Sequence, residues 1–124
     1  MKIAVIAHDG KKAEMVKFLM DQIDLFKRKD IDIMATGNTG QHAKNAGLEV
    51  ECLKSGPLGG DAQIAARVAE GQVQLVLFFR DPLDKHPHEP DINMLMRVCD
   101  VYDVALCTNP ASARMVFKGM LSEL

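Results

Sequence analysis

The sequence predicts an α/β fold: a single domain over residues 1–124, built on a doubly wound, Rossmann-like parallel sheet of about five strands with helices on both faces. Short apolar runs alternate with longer segments whose apolar residues recur at helical spacing, and polar or glycine residues mark each junction. This alternation favours a parallel sheet with right-handed crossovers. With 48% hydrophobic residues, a chain of 124 residues can bury a core without disulfides or a structural metal.

Five apolar runs are predicted to form the strands. They cover residues 3–7, 31–35, 48–53, 73–79 and 104–107. The run at 73–79 is the most hydrophobic, and a strand buried on both faces of a sheet has this continuous apolar character. We therefore expect it to lie centrally.

Helices are predicted between these runs, and several of their ends carry recognisable signals. The helices cover residues 11–27, a short stretch from the turn at 36–40 to about 46, then 62–70, 92–102 and 110 to about 119. Gly47 and Gly71 are expected to end two of them. Asn109 followed by Pro110 predicts the N-cap and first residue of the last helix.

Charge and cysteine content disfavour several classes of function. A net charge of −2 with scattered Lys and Arg residues does not favour binding to nucleic acid. Cys52, Cys99 and Cys107 are odd in number and lack CxxC spacing, which predicts buried, reduced thiols in a cytoplasmic protein. No segment approaches the length of a membrane span, and the apolar run within residues 1–7 is too short for a signal peptide.

Each predicted strand is followed by a polar loop. His8, Thr36, Ser55, Arg80 and Thr108 stand in these loops. In parallel sheets, ligands bind outside the carboxyl ends of the strands, so these loops are candidates for a site. Loops are commonly polar for other reasons, and the pattern adds only modestly to the case.

Three segments are suited to phosphate. The run TGNTG at 36–40 offers hydroxyls and unencumbered amides at a helix start, and Ser55 with Gly56 offers the same chemistry at another strand end. Lys12 supplies positive charge in a first helical turn, where a cation opposes the helix dipole; a solvated surface lysine is the alternative. The chain has neither a P-loop nor a GxGxxG motif, so a small phosphate ester is the expected ligand.

The glycine-rich turn at 55–61, SGPLGGD, ends in a carboxylate just before an apolar-periodic run. Gly59 and Gly60 let a ligand approach bare backbone, and the start of the following helix favours an anion. Asp61 would then lie beside that anion as a candidate acid–base group. The alternative is that Asp61 is only the N-cap of the next helix.

The stretch HPHEPD is a second candidate region. A metal cluster would use His86, His88, Glu89 and Asp91, but two histidines separated by one proline have no recognised ligand spacing. Two other interpretations stay open: prolines stiffen the loop so that one histidine acts as a general acid–base group, or the loop is simply polar and exposed. His42 is expected to be a surface residue.

Together these motifs resemble those of the methylglyoxal synthase family, in order and at the family's spacing over nearly the whole chain. The SGPLGGD turn combined with the DPL and HPHEPD segments is typical of that family within its superfamily. Asn38 stands where the family usually has threonine, and its amide can still donate a hydrogen bond to phosphate. The matching segments are Ala7-His8-Asp9 with Lys12, and the runs at 35–40, 55–61, 79–83 and 86–91.

The resemblance implies a carbon–oxygen lyase that converts dihydroxyacetone phosphate to methylglyoxal and inorganic phosphate in a glycolytic bypass, without metal or organic cofactor. Asp61 would be the base that forms an enediolate, and His88 the hydrogen-bond donor and proton shuttle. Asp9, Asp81 and Asp91 would be supporting groups that orient neighbouring side chains. A cytoplasmic homohexamer controlled by inorganic phosphate is a further expectation. The substrate phosphate would be held by His8, Lys12, Thr36, Gly37, Asn38, Thr39, Ser55 and Gly56.

Two other functions fit the same predicted fold. The regulatory domain of carbamoyl phosphate synthetase is similar, and phosphate-binding loops alone would suit such an effector-binding module. The presence of Asp61 together with His88 favours the enzyme. A response-regulator receiver fits less well, because it would have paired acids after the first strand and a phosphoacceptor after the third, where this chain has Ser55 in a glycine turn.

Overall fold

The computed structural model describes residues 1–84 and 89–123, with Glu89 described by its backbone alone. The strands are β1 (Lys2–Ala7), β2 (Asp32–Thr36), β3 (Val50–Leu53), β4 (Leu75–Phe79) and β5 (Ala105–Cys107). They form one sheet in the order β3-β2-β1-β4-β5, and every neighbouring pair is parallel. The predicted doubly wound, five-stranded parallel sheet is confirmed.

The helices of the described residues follow the predicted order. They are α1 (Lys12–Asp21), α2 (Ile23–Phe26), α3 (Gly37–Asn45), α4 (Gly60–Ala69), α5 (Glu89–Val101) and α6 (Pro110–Leu121), with 3-10 turns over Asp9–Lys11 and Gly56–Leu58. The predicted helix at 11–27 is divided at Gln22, whose backbone leaves the helical region (φ −113°, ψ 21°). Beyond the division, Phe26 stacks on Phe117 with ring centroids 4.6 Å apart.

Local chain geometry explains where the elements end. The Leu48 N–H donates to the carbonyl of Ala43 (3.1 Å), which closes α3 and delays β3 to Val50 instead of residue 48. Gly47 makes this turn with φ +95°, a conformation that favours glycine. At the start of α6, the Asn109 side chain accepts a 2.9 Å hydrogen bond from the Ser112 N–H, so the predicted N-cap is confirmed.

The hydrophobic core occupies both faces of the sheet because alternate residues of each strand point to opposite sides. In β1, Ile3, Val5 and Ala7 pack with α1, α2, α3 and α6, whereas Ala4 and Ile6 pack with α4 and α5. All five of these residues are buried. Such two-sided burial is why β1 is a continuous apolar run.

The strand order places a crevice beside the central strand. From β1 the chain moves outward through β2 to β3, and then crosses back to β4 and β5 on the other side of β1. The carboxyl ends of β1 and β4 therefore border the point where the winding direction reverses, which is where open α/β sheets bind ligands. The hydrophobic strand β4 is fully buried and interior, but β1 and not β4 holds the central position.

The cysteines are not all buried. Cys99 and Cys107 are buried, as predicted, whereas Cys52 is exposed. The prediction was wrong for Cys52 because β3 is an edge strand, and Cys52 and its neighbour Glu51 both face solvent there. His42 is exposed, as expected. No helix in residues 1–84 and 89–123 has the length and apolar character needed to cross a membrane.

Candidate active site

A cavity of about 440 Å³ opens at the carboxyl ends of the strands, where the loops after β1, β2 and β3 meet. The structure brings together here every predicted phosphate-binding residue and the predicted base, although they come from three separate stretches of sequence. These residues are His8, Lys12, Thr36, Gly37, Asn38, Thr39, Ser55, Gly56 and Asp61. Asp9, predicted as a supporting group, lines the same cavity.

The first part of the cavity is the start of α3. Thr36 is the N-cap residue, and its side chain makes no capping hydrogen bond. The amides of the first helical turn have no partners within the helix, and with the helix dipole they favour an anion. The Thr39 side chain is 1% exposed, and its hydroxyl has no hydrogen-bond partner among the described residues. This end of α3 therefore offers neutral donors to a phosphate.

Gly37 lets the loops after β2 and β3 approach each other. Its φ is +47°, and a Cβ at this position would lie 3.1 Å from Cβ and 3.2 Å from Cα of Ser55. A side chain would therefore be strained by the backbone conformation and would also separate the two loops. The absence of a side chain lets Ser55 lie close to the start of α3.

Asp61 lies in the first turn of α4 and is completely buried. The alternative that it is merely the N-cap is wrong, because Gly59 occupies that position with φ +108°. The turn fits closely around the carboxylate: a Cβ on Gly56 would lie 3.1 Å from each carboxylate oxygen. Gly60 has no room for a Cβ either, since it would lie 2.0 Å from the carbonyl oxygen of Lys54.

Lys12 is the first residue of α1 and forms an ion pair with Asp9, its Nζ lying 2.7 Å from Oδ1. A cation at a helix N-terminus opposes the helix dipole, and the carboxylate of the preceding 3-10 turn offsets that cost. The pair lies at the rim of the cavity, where Lys12 is partly buried and Asp9 is exposed. Lys12 is therefore not simply a solvated surface lysine. It forms an ion pair and also lines the cavity, where it can reach a phosphate.

His8 follows β1 and is 6% exposed. Its Nδ1 accepts a 2.9 Å hydrogen bond from the backbone N–H of Asp81, so a neutral His8 carries its proton on Nε2. The ring also makes an edge contact with Phe78, with centroids 5.1 Å apart. These contacts fix the orientation of the imidazole at the cavity wall.

The remaining predicted residues have different positions. The backbone N–H of Asp81 bonds to His8, and the Asp81 carboxylate accepts from the Leu83 N–H at 3.1 Å. Asp91 is exposed in the first turn of α5 and does not line the cavity in the part of the chain that is described. His88, predicted as the proton shuttle, lies outside the described residues, as does His86.

Asp84 also lines the cavity, and no sequence motif singles it out. It is exposed and lies in the loop after β4, three residues beyond Asp81. A polar loop with several acidic residues gives no periodic signal that selects one of them, so position in three dimensions was needed to find it. Within residues 1–84 and 89–123, no group of three or more His, Cys, Asp or Glu side chains is arranged to hold a metal ion.

The cavity carries little positive charge for a phosphate site. Among the described residues that line it, Lys12 is the one Lys or Arg side chain, whereas Asp9, Asp61 and Asp84 are acidic. A bound phosphate would therefore be held largely by neutral donors: the amides of α3, the hydroxyls of Thr39 and Ser55, and the His8 ring.

Comparison with known proteins shows the family to which the chain belongs. A family model described as the MGS-like domain matches residues 18–108. The chain is 53% identical to the methylglyoxal synthase of Thermoanaerobacter sp. (strain X514) over 121 residues, covering 97% of this chain and 90% of that relative. It is 49% identical to the methylglyoxal synthase of Carboxydothermus hydrogenoformans, covering 97% and 98%.

A solved structure has the same fold. The crystal structure of methylglyoxal synthase from Elizabethkingia anophelis NUHP1 superposes with a TM-score of 0.83 at 34% sequence identity, covering 93% of this chain and 75% of that one. Because the family model covers most of the chain and the curated relatives are about half identical along nearly all of it, the chain belongs to the methylglyoxal synthase family of lyases.

Proposed function

We propose that the chain converts dihydroxyacetone phosphate to methylglyoxal and inorganic phosphate, with Asp61 as the base. The observation that carries this proposal is the position of Asp61: a fully buried carboxylate lies in the same cavity as the start of α3 and the Ser55 turn. An anion site alone would suit an effector-binding module, such as the regulatory domain of carbamoyl phosphate synthetase. A buried carboxylate beside that site adds the means to remove a proton.

The phosphate group of the substrate is anchored at the start of α3 and by the loop after β3. The free amides of residues 37–39 point along the helix axis toward an anion, and the hydroxyls of Thr39 and Ser55 add donors. Lys12 supplies the positive charge and His8 donates from Nε2. With the phosphate fixed by several donors, the three-carbon skeleton extends toward Asp61.

Asp61 removes a proton from the hydroxymethyl carbon of the substrate, and the electron pair forms an enediolate with the neighbouring carbonyl. A carboxylate is a weak base for a carbon acid, so the enediolate oxygens need donors positioned before the reaction. His88 is the expected donor and proton shuttle between those oxygens. It lies outside the described residues, and this role follows from the family resemblance.

The bond that breaks next is the ester C–O bond to phosphate. The enediolate electrons form an aldehyde carbonyl and a new C=C bond toward the carbon that loses phosphate, which gives 2-hydroxypropenal. That enol becomes methylglyoxal when its methylene carbon takes up a proton and its hydroxyl oxygen loses one. One substrate yields one methylglyoxal and one phosphate, so the atoms balance without an oxidant, a metal or an organic cofactor.

The orientation of the phosphate decides the outcome of the enediolate. Elimination requires the C–O bond to stand out of the enediolate plane, whereas a bond held in the plane leaves reprotonation as the only productive step. Donors that follow β1, β2 and β3 line the cavity, and a phosphate held on several sides would keep one orientation relative to the enediolate. In the cell the reaction would serve as a glycolytic bypass in the cytoplasm, and we expect a homohexamer that is inhibited by its phosphate product.

The proposal is tested by incubating the purified chain with dihydroxyacetone phosphate in the presence of EDTA and measuring both products. We expect methylglyoxal and inorganic phosphate in a 1:1 ratio. Binding of phosphate esters without turnover would contradict the enzyme and would support the effector-binding alternative. A stable acyl adduct after treatment with acetyl phosphate, seen by mass spectrometry, would instead indicate a receiver-like domain.

A further inference from the structure

The ion pair between Asp9 and Lys12 lies where phosphate is proposed to bind. Lys12 Nζ is 2.7 Å from Asp9 Oδ1, and both residues line the cavity. The lysine side chain is 22% exposed, whereas the aspartate side chain is 96% exposed. The lysine is thus held at the cavity wall, while the carboxylate that pairs with it lies mostly in solvent at the cavity rim.

The charges in the cavity make this pair important for an anionic ligand. Among the described lining residues, Lys12 provides the one Lys or Arg charge, and three carboxylates surround the same space. A phosphate that approaches Lys12 meets a lysine whose charge is already offset by a carboxylate in contact with it. Asp9 and phosphate therefore compete for the same cation.

We propose that Asp9 is a competing counter-ion for Lys12 that lowers the affinity of the cavity for phosphate groups. This inference rests on the proposed function of the cavity and concerns the regulation of that site. Asp9 does not contact the reacting carbon atoms; it acts through Lys12 and is a positioning residue. Its role differs from that of Asp61, which is buried and belongs to α4.

Competition between Asp9 and phosphate for Lys12 should speed the release of the phosphate product. Inorganic phosphate is a product of the proposed reaction and shares its charged group with the substrate. A lysine without a competing carboxylate would hold both more tightly and would release the product more slowly. We expect Asp9 to weaken the two affinities by the same factor, about two- to fivefold, which is the range that an exposed ion pair produces.

The direct test is titration calorimetry with inorganic phosphate on the native chain and on Asp9→Asn, which preserves shape and removes the charge. The dissociation constant for phosphate is expected to fall about two- to fivefold. The KM for dihydroxyacetone phosphate should fall by the same factor, and kcat should not rise. A merely structural role of Asp9 would raise KM and weaken phosphate binding.

A neighbouring ion pair provides the matched control. Lys11 and Glu14 are paired at 3.2 Å with the same i,i+3 spacing, but neither lines the phosphate cavity. Glu14→Gln removes one negative charge from the same helix end and should leave the phosphate affinity unchanged at about 0.15 M salt, where distant exposed charges are screened.

A double variant separates competition from simple charge removal. In a Lys12→Gln background, titrated at higher phosphate concentrations, Asp9→Asn should have no further effect. Equal tightening in both backgrounds would overturn the inference, as would an unchanged or weaker phosphate affinity in Asp9→Asn or no phosphate binding by the native chain. Each variant is first checked for a melting temperature near that of the native chain.

The titration needs no turnover, so the two proposals fail separately. If Asp9→Asn tightens phosphate as expected but the native chain releases no methylglyoxal, the proposed reaction is wrong and the counter-ion role stands. If the native chain turns over substrate and Asp9→Asn does not tighten phosphate, the counter-ion role alone is wrong.

Discussion

The backbone N–H of Asp81 donates a 2.9 Å hydrogen bond to Nδ1 of His8 across the crevice between β4 and β1. A second bond, from the His8 N–H to the carbonyl of Phe79 at 3.1 Å, ties the same strand ends together. Because Nδ1 is an acceptor, protonating it would place two N–H donors against each other. A neutral His8 therefore carries its proton on Nε2, from which it can donate.

Two substitutions of His8 separate its two nitrogens. The amide of Gln reaches the position of Nε2 and can donate to the substrate, whereas the amide of Asn reaches the position of Nδ1 and can only preserve the bond to Asp81. We expect His8→Gln to keep kcat/KM within about tenfold of native and His8→Asn to lose about 10²–10³-fold, the usual effect of removing a positioned donor. Nitrogen NMR should show a proton on Nε2 and none on Nδ1; a proton on Nδ1, or a more active Asn variant, would contradict this assignment.

Gly56 is expected to be needed for full activity because a side chain at this position would contact the carboxylate of Asp61. An added methyl would lie 3.1 Å from both Asp61 oxygens and would displace the carboxylate by a few tenths of an ångström. Small misplacements of a reacting group cost large factors in rate, so Gly56→Ala should lower kcat by about tenfold or more. Gly119→Ala is the control, since nothing lies within 4 Å of its added methyl and alanine stabilises a helix by about 0.5–1 kcal/mol. Equal kcat values for the two variants would show that the Gly56 contact does not matter.

The buried hydroxyl of Thr39 is expected to lower the free energy of unfolding in the absence of phosphate and to strengthen phosphate binding. A buried hydroxyl without a hydrogen-bond partner among the described residues costs about 1–3 kcal/mol, so Thr39→Val should raise the free energy of unfolding in phosphate-free buffer by roughly 1 kcal/mol. The same change removes a phosphate donor, and the stabilisation produced by added phosphate should shrink. Denaturant unfolding with and without phosphate measures both effects. Thr39→Ser keeps the hydroxyl and is the control; a Val variant stabilised by phosphate as strongly as native would refute the role of this hydroxyl.

The three cysteines should differ in reactivity. Burial raises the pKa of Cys99 to about 11 and also raises the pKa of Cys107, so both remain thiols near pH 8 and are shielded from reagents. Cys52 is exposed. We expect one thiol per chain to react with a disulfide reagent in the native state and all three after unfolding. Rapid reaction of a second thiol in the native state would contradict the burial of the core cysteines.

The sequence was sufficient to predict most of the fold because the strand and helix periods differ. The continuous apolar character of residues 3–7 indicates burial on both faces, and the structure confirms it for β1. The position of Asn109 before Pro110 was equally informative, since only local geometry decides a cap. The division of the first helix at Gln22 was missed because no glycine or proline marks it; the packing of Phe26 on Phe117 is a tertiary contact that periodicity does not contain.

The candidate site was predictable where topology alone brings residues together. Loops that follow parallel strands must meet at one edge, and so His8, Thr36 and Ser55 were expected to share a site. The order of the strands depends on how they pair, and the hydrogen bond from Asp81 to His8 and the position of Asp84 depend on how the loops fold over that edge. These features are properties of the three-dimensional structure that no sequence pattern contains.

The assignment of Asp61 as the base is tested most directly by the turnover of dihydroxyacetone phosphate by Asp61→Asn, measured beside the affinity of the variant for inorganic phosphate. Asparagine keeps the size of the buried side chain and removes its ability to accept a carbon-bound proton. We predict phosphate binding within a few-fold of native and a loss of methylglyoxal formation of at least about a thousandfold. An Asn variant that forms methylglyoxal within about tenfold of the native rate would show that Asp61 is not the base.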